Sequence, residues 1–170
     1  KVYLFKYGSS TPVWNYETED SATSVAISSD GEYIVASAGK LFLFNKDSST
    51  PVWTSGGSVS CLDISSDGNY IATGSYSGTV SLYSRTSSSP LWQYSLDDGS
   101  DDVTSVSFSA DGEYLVVGTT DNEILLFDKD SSTPILDYSV DGDVDTVSMS
   151  ASGEYFVAGS DDDDVYFFKR

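Results

Sequence analysis

The sequence predicts an all-β chain made of four-stranded antiparallel sheets that recur about every 40 residues. Three observations carry this. A proline turn returns four times, as "YGSSTPVW" from Tyr7, "KDSSTPVW" from Lys46, "RTSSSPLW" from Arg85 and "KDSSTPIL" from Lys129, with prolines 39, 39 and 44 positions apart. A glycine turn returns out of phase with it, as "SSDGEY", "SSDGNY", "SADGEY" and "SASGEY", its glycines Gly31, Gly68, Gly112 and Gly153 standing 37, 44 and 41 apart. An aromatic-aliphatic run, "VYLF", "LFLF", "VSLY", "ILLF" and "VYFF", starts at Val2, Leu41, Val80, Ile124 and Val165. No segment shows helical periodicity, so almost no helix is expected.

Each unit reads as four short strands, lettered a to d. Strand a is "TSVAIS" or "TSVSFS". The Asp-Gly turn follows, where glycine takes a positive φ at no steric cost. Strand b is "YIVASA", "YIATGS", "YLVVGT" or "YFVAGS", and strand c is the aromatic run. Proline then fixes φ in the Ser-Ser-Thr-Pro turn, and strand d follows as "PVWNY", "PVWTS", "PLWQY" or "PILDY". Strands b and c are apolar at consecutive positions. A strand with one wet face alternates, whereas one covered on both faces need not. Sheets stacked around an axis cover both faces, which is the arrangement of β-propeller blades.

The strand phase gives seventeen strands along one propeller or propeller segment, residues 1–170. Strands c–d occupy 1–20, full blades 21–57, 58–98 and 99–140, and strands a–b–c 141–170, about four blades in all. The first d strand could complete the last blade and remove an open edge, but "VYLF" and "VYFF" share a phase, so one is surplus in a closed ring. Three arrangements stay open: a segment of a longer propeller, a ring of copies, or self-closure with a frayed end. Lys at position 1 fits a processed, excised or incomplete chain, and no signal-peptide pattern is present.

Composition narrows the function. The net charge of −19, from 27 acids and 8 bases, repels phosphate backbones and anionic membranes, so neither nucleic acid nor membrane insertion is expected. No apolar run approaches the roughly 20 residues of a membrane helix. The absence of histidine removes imidazole bases and Ser-His-Asp triads. A single cysteine, Cys61, excludes an internal disulfide and reads as a small buried strand residue. No phosphate-binding glycine loop or nucleophile elbow occurs. Tyr33, Tyr70, Tyr114 and Tyr155 recur after the glycine turn and read as aromatics packed between blades.

The pattern "V..V.IS.DG.YI..GS..G.V.L" resembles the repeat of WD-type β-propellers, best in "VSCLDISSDGNYIATGSYSGTVSLYS" from Val59 to Ser84. The resemblance covers the whole chain and implies a propeller used for protein interaction, assembly or scaffolding. The family's Gly-His pair before strand a is absent. Its closing Trp-Asp pair is replaced by Phe44-Asn45, Tyr83-Ser84, Phe127-Asp128 and Phe168-Lys169, so its buried His-Ser-Trp-Asp network does not carry over. The strand d tryptophans Trp14, Trp53 and Trp92 give a weaker resemblance to pyrroloquinoline-quinone-type repeats, without the basic and metal-binding groups such a cofactor needs. The duplicated "KDSSTP" marks closely related blades rather than catalysis.

A meander puts the b–c and d–a loops on one face and the a–b and c–d loops on the other. The first face carries 16 acids against Lys1 and Lys40, the second nine acids against six bases. The candidate binding face is therefore Asp97, Asp98, Asp101, Asp102, Asp121, Asp141, Asp143, Asp145 and Asp161, Asp162, Asp163 and Asp164. Such a face attracts basic partners or divalent cations, while the same acidity also serves solubility. "DGDVDT" and "SDDDD" are oxygen-rich enough to suggest Ca²⁺ but neither fits an EF-hand. No other cofactor and no catalytic residue is indicated. The expected role is a non-enzymatic interaction or assembly module with a protein partner or with itself. The alternatives are a segment of a larger enzyme or cofactor-bearing propeller, or a cell-surface structural repeat.

Overall fold

The computed structural model describes residues 1–96 and 102–170, and among them every regular element is a strand. The first sheet holds β1 (Val2–Phe5) and β2 (Pro12–Tyr16). The second holds β3 (Ser24–Ile27), β4 (Tyr33–Ser37), β5 (Lys40–Asn45) and β6 (Trp53–Gly56). The third holds β7 (Val59–Ile64), β8 (Tyr70–Ser75), β9 (Thr79–Ser84) and β10 (Pro90–Ser95). The fourth holds β11 (Val103–Phe108), β12 (Tyr114–Thr119), β13 (Glu123–Asp128) and β14 (Leu136–Ser139), and the last β15 (Val144–Met149), β16 (Tyr155–Ser160) and β17 (Val165–Lys169). All pairing is antiparallel between neighbours in sequence. The full sheets run a–b–c–d, flanked by c–d at the start and a–b–c at the end. β2 pairs with β1 and the last sheet stays three-stranded, so the first strand d does not complete it. The expected blade boundary at 98/99 falls outside the described residues.

Four apolar seams lie between the sheets, and strands b and c of the three full sheets are buried on both faces as their sequence requires. Strand d supplies a lock at three of them. Trp14 lies tilted against Phe44 at 5.5 Å, while Trp53 stacks on Tyr83 at 6.0 Å and Trp92 on Phe127 at 5.4 Å. Each indole N–H donates at 2.7 Å to a backbone carbonyl of the next sheet, that of Lys46, Arg85 and Lys129 in turn. The lysine of "KDSSTP" thus accepts the indole through its carbonyl. Its side chain meanwhile bridges two acids, Glu32 and Asp47 in one copy and Glu113 and Asp130 in the other. The repeated turn is written twice because it performs the same joining task twice.

The glycine turns explain the recurring tyrosines. Gly68, Gly112 and Gly153 have φ of 69°, 70° and 67°. A Cβ there would stand 2.9, 3.1 and 2.9 Å from the rings of Tyr33, Tyr70 and Tyr114 in the preceding sheet. The tyrosine of one sheet therefore lies flat against the glycine of the next. Strand a adds a further link. A bulge leaves Ser60 and Thr104 out of register, and each hydroxyl donates to the carbonyl of the next sheet, Val103 and Val144.

Candidate functional site

The loops b–c and d–a are tied to one another, which places them on one face. Leu96 N–H donates to the Gly78 carbonyl at 2.9 Å, Val140 N–H to that of Asn122 at 2.8 Å, and Asp161 N–H to that of Asp143 at 3.0 Å. Asp102 and Thr120 are joined twice: Thr120 N–H donates to the Asp102 carbonyl at 3.0 Å, and Asp102 N–H to Thr120 Oγ1 at 2.8 Å. On the opposite face, the c–d turns are held to the a–b turns by Lys46, Lys129 and Arg170 N–H donating to Glu32, Glu113 and Glu154 carbonyls.

The candidate acids fall into two groups. Asp102 and Asp121 sit at the rim of the fourth sheet, and Asp121 N–H donates to buried Thr119 Oγ1 at 3.2 Å. Asp141, Asp143 and Asp161 to Asp164 form the facing loops of the last sheet. Gly142 permits their approach, since a Cβ there would stand 2.1 Å from Asp161 Oδ1. Asp162 is an acceptor for its own loop, taking the Asp164 N–H at 2.9 Å and the Tyr166 hydroxyl at 2.7 Å. That hydroxyl, with the Asp164 amide, holds the Asp162 carboxyl below its ordinary range, and the same contact pushes Tyr166 up to about 12. Asp163 has a φ of 69°, a left-handed turn position that Asp tolerates. Asp145 lies apart from both, exposed in the bulge of β15. Asp97, Asp98 and Asp101 lie outside the described residues.

Two features decide what this face can do. Among the described residues, no group of three or more carboxylate or thiol ligands stands close enough to hold a metal ion. And none of Asp102, Asp121, Asp141, Asp143, Asp145 and Asp161 to Asp164 makes an ion pair with another described residue, whereas on the opposite face Lys46, Lys129 and Lys169 are each paired. On the same face Glu17 and Glu19 pair with Lys1 and Lys40, so it is the aspartates of the fourth and last sheets that have no cationic partner among the described residues.

Sequence reasoning passed over two groups. Asp63, inside β7, is a half-buried structural acceptor: its Oδ2 takes the Phe108 N–H of the next sheet at 2.8 Å, and partial burial pushes its carboxyl up. Burial likewise pushes the Cys61 thiol up to about 11, which makes it a poor nucleophile. The second group is apolar. Val25, Ile27, Tyr3 and Phe5 at one end of the stack, and Val165 and Phe167 at the other, are exposed although their counterparts in the inner sheets are buried. The surplus strand was the signal for them.

The comparisons agree with this geometry. The model of the WD domain, G-beta repeat, matches residues 49–84, and that of the anaphase-promoting complex subunit 4 WD40 domain matches residues 82–152. The crystal structure of the computationally designed Ika4 protein superposes with a TM-score of 0.75 at 20% identity, covering 91% of this chain and 96% of that one. No curated protein sequence matches. WD40 repeats generally mediate protein interaction or scaffolding. With its repeat length, its stacked four-stranded antiparallel sheets and these matches, the chain is a WD-repeat-like β-propeller.

Proposed function

We propose that the chain is a non-enzymatic interaction and assembly module whose acidic loop face docks a basic protein segment. The observation that carries this reading is that Asp102, Asp121, Asp141, Asp143, Asp145 and Asp161 to Asp164 make no ion pair with another described residue, while Glu17 and Glu19 of the same face pair with Lys1 and Lys40. Loops on a rigid scaffold commonly carry binding. Their field draws cationic side chains, and the fixed loop backbones of Asp102, Asp143 and Asp161 give it a shape.

The test is a titration with an arginine-rich peptide at about 150 mM salt, where diffuse attraction is screened beyond about 8 Å. The parent should bind saturably. A variant with Asp141, Asp143, Asp145 and Asp161 to Asp164 changed to Asn should lose that binding while keeping its sheet spectrum. Equal, non-saturating behaviour in both would assign the acidity to solubility alone. A parallel Ca²⁺ titration separates a cation site from a peptide site.

A further inference from the structure

Inside the stack the same seam is built three times. Val35, Leu41 and Leu43 of the second sheet meet Leu62 and Ile64 of the third. Ala72, Val80 and Leu82 of the third meet Val106 and Phe108 of the fourth. Val116, Ile124 and Leu126 of the fourth meet Val147 and Met149 of the last. The two outermost faces carry the missing halves of a further seam. Val157, Val165 and Phe167 of the last sheet hold the places of Val35, Leu41 and Leu43, and Val165 and Phe167 are 78% and 68% exposed. Val25 and Ile27 hold the places of Leu62 and Ile64, and are 65% and 58% exposed.

We propose that a second copy of this chain seats on this face, head to tail, so that Val157, Val165 and Phe167 of one copy cover Val25 and Ile27 of the other. This names the assembly arm of the function proposed above and rests on other residues than the acidic loops. The finer contacts of the inner seams are also present in halves. Tyr33, Tyr70 and Tyr114 each lie against a glycine of the following sheet, which leaves Tyr155 without one and Gly31 with nothing within 4 Å of its Cβ position. Ser29, Ser66 and Ala110 N–H donate in turn to the carbonyls of Ser66, Ala110 and Ala151, which leaves the Ala151 N–H and the Ser29 carbonyl for a neighbour. Asp63 and Ser107 accept the N–H of Phe108 and Met149, and Ser148 holds the same place at the tail for the Ile27 N–H of the copy. Met149, Tyr155, Val157 and Phe167 rim a hollow of about 200 Å³ where Ile27 would enter, as Met149 enters beside Val116 and Leu126.

Two features set the cost of this contact. β1 and β17 are both strand c and compete for one place, since Val2 packs on Ala36, Phe42 and Phe44 of the head where Val165 of the copy would sit. β17 is the better held, by Phe168 on Phe156 at 4.7 Å and by Arg170 Nε donating to the Gly153 carbonyl at 2.9 Å. β1 therefore yields, and β2 of the copy adds to the free edge of β17. The second feature is Asp145. It occupies the bulge position of Ser60 and Thr104, whose hydroxyls donate to the next carbonyl, and a carboxylate cannot donate there. The copies also repel through a charge of −19 each, so association strengthens as salt screens them. The interface is heterologous, and a closed ring or an open string follows from its rotation.

Sedimentation of the full chain at micromolar concentration and about 0.5 M salt tests this. Species heavier than the 18.3 kDa monomer are expected. Phe167→Ser removes the tail face and Ile27→Ser the head face, so each variant alone should sediment as a monomer with an unchanged sheet spectrum. Mixed together they should pair, because one keeps a tail and the other a head. Asp145→Thr restores a donor and should tighten association by roughly threefold to tenfold, a gain that misfolding cannot imitate. A monomer under all conditions would overturn the proposal, and so would association that survives both single variants. The candidate acids are unchanged in Phe167→Ser and Ile27→Ser, so the peptide binding of these two variants reports separately on the function proposed above.

Discussion

The seam between the third and fourth sheets and the seam between the fourth and last are built alike from apolar residues of strands a, b and c and differ most at one position of strand d. In the first, Trp92 stacks on Phe127 and donates to the Lys129 carbonyl. In the second, Leu136 stands in the tryptophan's place, and a groove of about 180 Å³ lies between Leu126, Ile135, Leu136, Phe156 and Phe168. A neighbour takes up part of the task. Tyr138 meets Phe168 edge-on at 5.3 Å just as Tyr94 meets Phe127 in the first seam, and the Arg170 guanidinium adds a contact 3.8 Å from the Tyr114 ring centre. The difference teaches that strand pairing and the apolar residues of strands a, b and c are enough to stack two sheets. The indole adds outer-edge packing and one directed hydrogen bond.

Making the stronger seam like the weaker one should have the largest effect. Trp92→Leu loses the stack and leaves the Lys129 carbonyl without its donor, at a cost of about 3 kcal/mol. Denaturant unfolding measures it, and a loss under about 1 kcal/mol would mean that the lock contributes little.

The glycine turns sharpen the comparison between an inner seam and an open end. Gly68→Ala meets both a left-handed φ of 69° and the Tyr33 ring at 2.9 Å. Gly31→Ala meets a φ of 73° and open space. In the monomer Gly31→Ala should cost only the backbone term, about 1 kcal/mol, and Gly68→Ala about 2 to 3 kcal/mol. Equal losses would show that the tyrosine contact is slack.

Converting the weaker seam to the stronger is the next step down. Leu136→Trp fills the groove beside Phe168 and brings an N–H toward the Arg170 carbonyl. A gain of about 1 kcal/mol is expected, or a rise in Tm of about 2 to 4 °C. An unchanged or lowered Tm would mean that Arg170 and Tyr138 have closed the space to an indole.

The repeat made the fold legible. The Asp-Gly turns, the proline turns and the double-sided apolar runs at Leu41, Val80 and Ile124 fix strand type, order and stacking through local chemistry. The recurrence of Tyr33, Tyr70 and Tyr114 was enough to place them between sheets. Less could be read of the site. Charge sorting follows from strand direction, but whether Asp161 meets Asp143 depends on loop backbones and on Gly142, which no periodicity encodes. The indole-to-carbonyl bonds were hidden for a related reason: a tryptophan's backbone partner lies 32 to 37 positions away and leaves no mark in residue type. Asp63 was passed over because an acid in a strand looks like an outward-facing residue until the neighbouring amide is seen.

Asp63 supplies the smallest effect and a test by pH. Its carboxyl, half-enclosed in the seam between the third and fourth sheets, is raised above the ordinary 3.8 by burial, against the Phe108 and Ile64 amides that favour its charge. The fourth sheet performs the same task with neutral Ser107, whose Oγ takes the Met149 N–H at 3.2 Å. A group raised on folding binds its proton more tightly in the folded chain. Between 3.8 and the raised value the unfolded chain is the more ionised, so this residue's contribution to stability falls as pH climbs and then levels off. Asp30 and Asp111 act in the opposite sense. The hydroxyls of Ser28 and Ser109 hold them low, so the stability they contribute is present above 3.8 and lost as pH falls through their folded values. Asp63→Ser keeps an acceptor for Phe108 and removes only the rising-pH loss. The Tm difference between variant and parent should therefore grow in the variant's favour from about pH 4 upward and then stay flat. A difference independent of pH would show that the Asp63 charge is as well solvated in the folded seam as in the open chain. The choice between Asp and Ser at this strand position would then carry no electrostatic cost.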